Sequence, residues 1–293
     1  MSAVAFVALA ASLTLAAEPI QISARARSLR PGEVVVLAIV PPIATDAMRV
    51  LAFGREVAAY KDGDTWRAIV GVDLDVEPGT YQVTVESASA EAVARGTHDL
   101  RIVPRTFRTR RLTVDPAFVT PPVSEQPRIE RESALLAATW QSSAPNRLWT
   151  TAFIRPVPHV ANSAFGTRSI FNGQPRNSHG GADFLSPAGT PVRAPNAGRI
   201  AVARSLYFSG GTVIIDHGLG LFSTLAHLSR IDVEEGAMVT PGQRVGLVGA
   251  TGRVTGAHLH WAVRAGEARV DPLSLLAVLG QPRSAGKGIH PGD

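Results

Sequence analysis

Short apolar or alternating runs separated by turn-forming residues fill the chain from Ile20 to about Val103. Residues 34–40, 48–53, 66–72, 81–85 and 100–103 read as strands, with Arg30-Pro31-Gly32, Asp62-Gly63-Asp64 and Glu77-Pro78-Gly79 as turns beside or between them. Regular spacing of this kind predicts a small β-sandwich, immunoglobulin-like in outline, over residues 18–105. Beyond Arg147 the pattern resumes, with residues 198–203, 211–216, 221–225 and 244–248 as strands among glycine-rich turns. It predicts a second all-β domain over 148–280. The connector, 106–147, contains the stiff break Pro121-Pro122. After it Ser124 is a candidate cap for a helix reaching about Gln141, with Pro127 in its first turn and Ile129, Leu136 and Trp140 on one side. A packed strap is expected there.

The two ends read differently. Residues 3–17 are uncharged and finish Leu15-Ala16-Ala17-Glu18, close to the small-residue cleavage pattern of a secretory signal. A signal over 1–17 that is cleaved and not kept as an anchor implies export to the periplasm or cell envelope, with no stable membrane insertion afterwards. Residues 281–293 are rich in Gly and Pro and are expected to be a flexible tail.

Composition narrows the chemistry. The chain has 293 residues and no cysteine, which excludes thiolate-held zinc, thiol catalysis and disulfides. A net charge of +5 favours an anionic partner such as nucleic acid, a membrane surface or a cell-wall polymer. Part of that charge is Arg101, Arg105, Arg108, Arg110 and Arg111, expected to be solvated linker; no aromatic stacking platform accompanies them, so no nucleic acid is expected.

The first half shows no cluster of metal-binding side chains, and the second shows several. Ser178-His179-Gly180-Gly181-Ala182-Asp183 carries a histidine and a carboxylate, Ala226-His227-Leu228-Ser229 a second histidine, and Gly256-Ala257-His258-Leu259-His260-Trp261 two more. Residues two apart on a strand share a face, so a strand over 258–263 would aim His258 and His260 into one cleft. One such histidine alone would more often be a hydrogen-bonded structural residue. Neutral imidazoles with one carboxylate suit zinc, and three protein ligands leave a position for water. Gly246-Leu247-Val248-Gly249-Ala250-Thr251-Gly252 lacks the Lys-Ser/Thr and the βαβ setting of a phosphate loop. A tight turn that brings backbone near the site is expected instead.

At these residues the chain resembles the lysostaphin-type, LytM-like zinc endopeptidases that cut peptide cross-links of bacterial peptidoglycan. The likeness takes in Phe165-Gly166-Thr167-Arg168, the His179 to Asp183 element, Ala188-Gly189-Thr190-Pro191-Val192, Val213-Ile214-Ile215-Asp216-His217-Gly218, His227-Leu228-Ser229 and Gly249-Ala250-Thr251-Gly252 leading into His258-Leu259-His260, in the family's order over about 150–277. It implies a lysostaphin-like antiparallel β catalytic domain holding one Zn2+ through His179, Asp183 and His260, with His227 and His258 as unligated catalytic histidines. Leu225 stands where many members carry Tyr, so no phenol is available, and Ala182 stands where a bulkier residue is common.

The chain lacks a His-Glu-x-x-His motif, so a glutamate inside the ligand motif is not its base; His227 and His258, with unperturbed pKa near neutrality, are suited to proton transfer. His217 is expected to pack or support the site, His98 and His159 to lie in solvent or loops, and His290 in the tail. Asn172 and Arg176 could line a groove, with polar surface as the default reading. The resulting expectation is an exported zinc endopeptidase acting on peptidoglycan cross-links. An amidase would need different ligand spacing, and a non-enzymatic regulator of cell-wall hydrolases would have a broken ligand set. Because the candidate residues all follow Arg147, a chain beginning near Leu148, or more safely near Ser124 with the helix, is expected to keep the chemistry if it folds.

Overall fold

The computed structural model describes residues 19–89, 93–113, 120–161 and 165–280, so the expected signal (1–17) and tail (281–293) lie outside the described residues. Among those residues no helix is long and apolar enough to cross a membrane.

Eight strands come first: β1 (Gln21–Ala26), β2 (Val34–Val40), β3 (Ala47–Ala52), β4 (Arg55–Val57), β5 (Ala59–Asp62), β6 (Thr65–Gly71), β7 (Gly79–Ala88) and β8 (Val93–Ile102). They form two antiparallel four-stranded sheets, β1-β2-β6-β5 and β4-β3-β7-β8, closed on a core that includes Val35, Leu37, Val50, Val85 and Leu100. The sequence pattern does not announce β1, β4 or β5. These three strands bury no residue fully, so solvent-facing side chains left no apolar run to read.

The connector contributes β9 (Thr109–Leu112), a 3₁₀ turn (Val123–Glu125) and α1 (Gln126–Gln141). Pro127 falls in the first helical turn as expected, but Ser124 lies inside the 3₁₀ turn and Glu125 takes the cap position without a side-chain bond. Leu136 and Trp140 pack over Val202, Ile214 and Phe222; Ile129 is half-buried but not part of that cluster. The strap is locked at its end. Asp216, fully buried, accepts hydrogen bonds from Ser143 Oγ (2.7 Å) and Ala144 N (2.8 Å).

The second half holds β10 (Arg168–Phe171), β11 (Gln174–Pro175), β12 (Gly181–Phe184), β13 (Pro191–Arg193), β14 (Gly198–Leu206), β15 (Gly210–Asp216), β16 (Leu221–Ile231), β17 (Met238–Val239), β18 (Arg244–Val248), β19 (Leu259–Ala265), β20 (Ala268–Val270) and α2 (Pro272–Leu279). Its main sheet runs β12-β19-β16-β15-β14-β17, with β18 beside β16, β13 beside β18 and β20 beside β19. Every residue of β15 is buried. Val213 and Ile215 face the main core while Ile214 faces the α1 layer, and burial on both faces explains the unbroken apolar run.

The same logic explains β2, and it joins the halves. Val35, Leu37 and Ile39 face the sandwich core, whereas Val34 and Val36, with Ile69 from β6, belong to the core of the second half. The contact is close: a Cβ on Gly71 would lie 2.6 Å from Ala268 Cβ. Charge sits in the joint as well. Glu33 and Asp271, almost fully buried, face Arg27, whose Nη2 is 2.6 Å from Glu33 Oε1 and 2.8 Å from Asp271 Oδ2. Arg105 adds longer contacts to both acids and stacks on Phe107 and Phe165. The expectation of solvated linker charge therefore fails for Arg105. Arg110, although exposed, donates to Ser169 Oγ at 2.9 Å, and its strand β9 pairs in parallel with β10.

Candidate metal centre

β12 and β19 are antiparallel neighbours, and their register sets Asp183 opposite His260. Directly opposed residues share a face, so both side chains enter one cleft. His179 lies just before β12, its N–H bonded to Thr167 O (3.0 Å) and its carbonyl to Gly166 N (2.7 Å). Its Nε2 is 3.0 Å from His260 Nδ1 and 3.1 Å from Asp183 Oδ1, and the last two atoms are 2.9 Å apart.

Three electron-pair donors thus form a nearly equilateral triangle. Ligands on a tetrahedral ion with bonds of about 2.0–2.1 Å stand roughly 3.3 Å from one another, so the spacing and the two-nitrogen, one-oxygen donor set fit a divalent first-row ion. His179, Asp183 and His260 could hold a metal ion. Exposures of 21, 19 and 18 % leave them reachable from the cleft while much of their hydration is lost.

Protonation states agree with that use. Burial alone would raise the Asp183 pKa, but hydrogen bonds and charge from His179 and His260 outweigh it and keep the carboxyl ionised. Burial lowers the His260 pKa against the pull of Asp183. An ionised carboxylate beside a neutral imidazole is the state a metal ion requires.

Gly181 has a role the sequence did not reveal. A Cβ there would lie 2.5 Å from Trp261 O and 2.6 Å from His260 Cε1, so the bare backbone makes room for the His260 ring. Ala182, fully buried beneath, belongs to the core.

His227 reaches the cleft through a backbone irregularity. Its neighbour Ala226 lies opposite His260, so strict alternation would turn His227 to the other face. Between the pairs Val213↔Leu225 and Gly211↔Leu228, however, β16 has two residues where β15 has one. This bulge, with His227 at φ 67°, re-aims the ring. It stands 4.8 Å from the His258 ring and 5.9 Å from the His260 ring, centroid to centroid. His258 precedes β19, bridged to Gly249, and its Nε2 is 3.8 Å from Asp183 Oδ1.

Both rings are oriented by main-chain carbonyls. His227 Nδ1 donates to Thr251 O (3.0 Å) and His258 Nδ1 to Gly256 O (2.9 Å), so the lone pair of each neutral ring is on Nε2. Burial, and then the proximity of His260, lowers the His227 pKa to about 4. The glycine-rich turn lets the backbone beside Thr251 approach closely: a Cβ on Gly252 would lie 2.4 Å from Gly210 N.

Other candidates stand elsewhere. Asn172, at φ 50°, forms the two-residue turn between β10 and β11 with Gly173. His159 is exposed and bonded to Ser186, and His98 is on β8; His290 lies outside the described residues. His217 is fully buried: Nδ1 donates to Ala197 O (2.8 Å), Nε2 accepts from Ser223 Oγ (2.9 Å), and the ring packs edge-on to Phe153.

Burial lowers the His217 pKa to about 4, against backbone and Asp216 contributions that raise it. The unfolded chain takes up this proton near pH 6.5 and the folded chain only near 4, so folding stability is complete above 6.5 and declines as the pH falls toward 4. The loss should reach about 3 kcal/mol. His227 adds a similar slope, so the difference in urea unfolding between wild type and His217→Asn from pH 7.5 to 4 isolates the His217 share; parallel curves would contradict it.

Comparison with known proteins matches this geometry to a family. The profile of peptidase family M23 covers residues 177–272, the stretch from just before His179 to the start of α2. A solved structure described as a candidate peptidase M23 from Pseudomonas aeruginosa is 32 % identical, with a TM-score of 0.67 over 85 % of this chain and 96 % of that one. This chain belongs to peptidase family M23. Among curated M23-like relatives, peptidoglycan DD-endopeptidase ShyA of Vibrio cholerae is 46 % identical over 83 residues, which is 28 % of this chain and 19 % of ShyA. The DD-carboxypeptidase/endopeptidase Mpg of Neisseria meningitidis is 41 % identical over 97 residues, 33 % of this chain and 22 % of Mpg. The chain thus spans about a fifth of the length of these curated relatives. In this M23 chain the matched residues contain all five cleft side chains, and the resemblance in the sequence pointed to the same family.

Proposed function

We propose that the protein is a zinc-dependent endopeptidase, exported to the periplasm or cell envelope, that hydrolyses peptide cross-links of bacterial peptidoglycan. The observation that carries this reading is the convergence of His179 Nε2, Asp183 Oδ1 and His260 Nδ1 within 3.1 Å of one another in an M23 chain. An intact donor set favours a hydrolase over a binding-only regulator. The name of ShyA, a peptidoglycan DD-endopeptidase, supports peptidoglycan as the substrate class.

Zinc held by His179, Asp183 and His260 would supply Lewis-acid polarisation of the scissile carbonyl and lower the pKa of a water molecule. The chain itself supplies proton handling. With Nδ1 tied to a carbonyl, His227 and His258 each keep Nε2 as acceptor; the ring that removes a proton from the attacking water then carries it as Nε2–H, which donates to the developing oxyanion and returns the proton to the departing amine. Leu225, fully buried in the core, offers no phenol for these steps.

His227→Ala and His258→Ala should each keep zinc and lose hydrolysis by about 10²–10⁴-fold, the usual share of a positioned acid or base. Metal analysis and rates on purified peptidoglycan check both. A variant that loses its zinc would show that ligand and proton carrier have been exchanged in this assignment.

A further inference from the structure

His179 is held differently from the other two donors of the centre. Asp183 and His260 are fixed by the ladder between β12 and β19. His179 precedes β12, and its main chain leans instead on residues 165–167: Gly166 N–H donates to His179 O (2.7 Å) and His179 N–H donates to Thr167 O (3.0 Å). The place of His179 Nε2 therefore depends on what holds that segment.

Two aromatic contacts hold it, and both lead to the joint between the halves. Phe165 is buried, and its ring fills the space beside Gly32, in the connection between β1 and β2, so that a Cβ on Gly32 would run into it. Gly32 O accepts from Asp271 N–H at the start of α2 (2.7 Å), and Gly32 N–H donates to Val72 O (2.8 Å). The Phe107 ring lies against Gly166, which is at φ 77° and whose added Cβ would overlap that ring. The two rings meet edge to face with centroids 6.3 Å apart. Arg105 spans them: its guanidinium carbon is 4.9 Å from the Phe107 centroid and 5.6 Å from that of Phe165. The same guanidinium donates to Pro31 O (3.0 Å) and lies 3.4 Å from Glu33 and 3.5 Å from Asp271, the buried acids of the joint. A planar cation that is both stacked and forked in this way has a fixed orientation, which an ammonium on a flexible stem lacks.

We propose that Arg105, acting through Phe107 and Phe165, is a positioning residue for the metal centre: it ties the segment that carries His179 to the carbonyl and acids of the joint and so raises the affinity for zinc. The inference rests on the reading of His179 as a zinc ligand and extends it to residues that never touch the cleft. A donor held in place before the ion arrives costs less to order on binding. The effect falls on metal uptake, since a molecule that already holds zinc has its three donors in position.

Zinc titration of the metal-free full chain against a competing chromophoric chelator reads the effect without turnover. Arg105→Lys keeps a positive charge beside Glu33 and Asp271 but loses the planar stack, and Phe107→Leu leaves both acids with their partners. Each should weaken zinc binding by about tenfold or more, the usual result of freeing a ligand from its outer support. The visible absorption of the cobalt-substituted protein should shift in the same two variants, because it reports the geometry of the donors. Val36→Ala serves as the comparison for stability alone. It opens the core shared by the halves, to which neither Phe107 nor Phe165 belongs, so it should lower the urea midpoint while zinc affinity stays within about twofold. Unchanged affinity in Arg105→Lys and Phe107→Leu, or an equal loss in Val36→Ala, overturns the proposal. A wild type that takes up no zinc would overturn the ligand reading and this inference with it, whereas tight wild-type binding that the two variants retain would overturn the positioning role alone.

Discussion

His260→Ala will leave the protein folded, without metal, and without hydrolytic activity. His260 is the donor that both other proposed ligands touch, at 3.0 Å from His179 and 2.9 Å from Asp183. Removing it leaves two donors, fewer than the three protein ligands of a catalytic zinc site. It also removes one of the two imidazoles that hold Asp183 ionised, so the remaining carboxylate competes less well for a cation. The fold should survive: β19 keeps its backbone pairing with β12 and β16, and the truncated side chain lies at the cleft, above Gly181, rather than in the core. Metal analysis should fall from roughly one zinc per chain to background while the circular dichroism spectrum is retained. Chelation of the wild type should reproduce the loss of activity with the fold retained, because His179, Asp183 and His260 are partly exposed in the cleft. Equal zinc content in wild type and His260→Ala would overturn the ligand assignment.

What could be read in advance follows from how each feature is encoded. Strands buried on a face announce themselves, as in β2, β6 and β15, because burial demands apolar side chains at a fixed period. The five cleft residues were legible for a different reason: histidine and aspartate in that order are scarce enough to stand out, and they match a known family. Backbone devices had no comparable signal. The bulge that turns His227, the carbonyls of Thr251 and Gly256, and the space Gly181 yields to His260 depend on register and approach distance. Residue type specifies neither. The glycine-rich turn at 246–252 hinted at close backbone approach without saying which carbonyl would meet which ring.

The same gap affects the boundary between the halves. Chain segments that carry all the cleft residues begin after Arg147, and the sequence alone suggested that a protein starting at Leu148 or Ser124 would keep the chemistry. The structure gives two reasons for either start to lose stability. Either start removes β9, which pairs with β10 directly upstream of the His179 segment. Either also removes Val34, Val36 and Ile69 from the core they share with Trp261, Val263 and Leu275. Losing the burial of three such side chains costs roughly 5 kcal/mol, comparable to the whole stability of many domains. The melting temperature should drop by about 10–20 °C relative to the full chain, with soluble yield falling in parallel. A chain starting at Arg105 keeps β9 and should lose less, yet it still exposes the face that β2 and β6 cover. Rates per zinc-loaded molecule on soluble fragments should change little, because the tightest approach of the sandwich to β19 is Gly71 against Ala265, about 17 Å along the strand from His260. The sandwich is therefore expected to support and position the catalytic half and not to cover its cleft. A Leu148 start that melts within a few degrees of the full chain would refute the shared core, and one that cleaves soluble fragments several-fold faster would restore an inhibitory role.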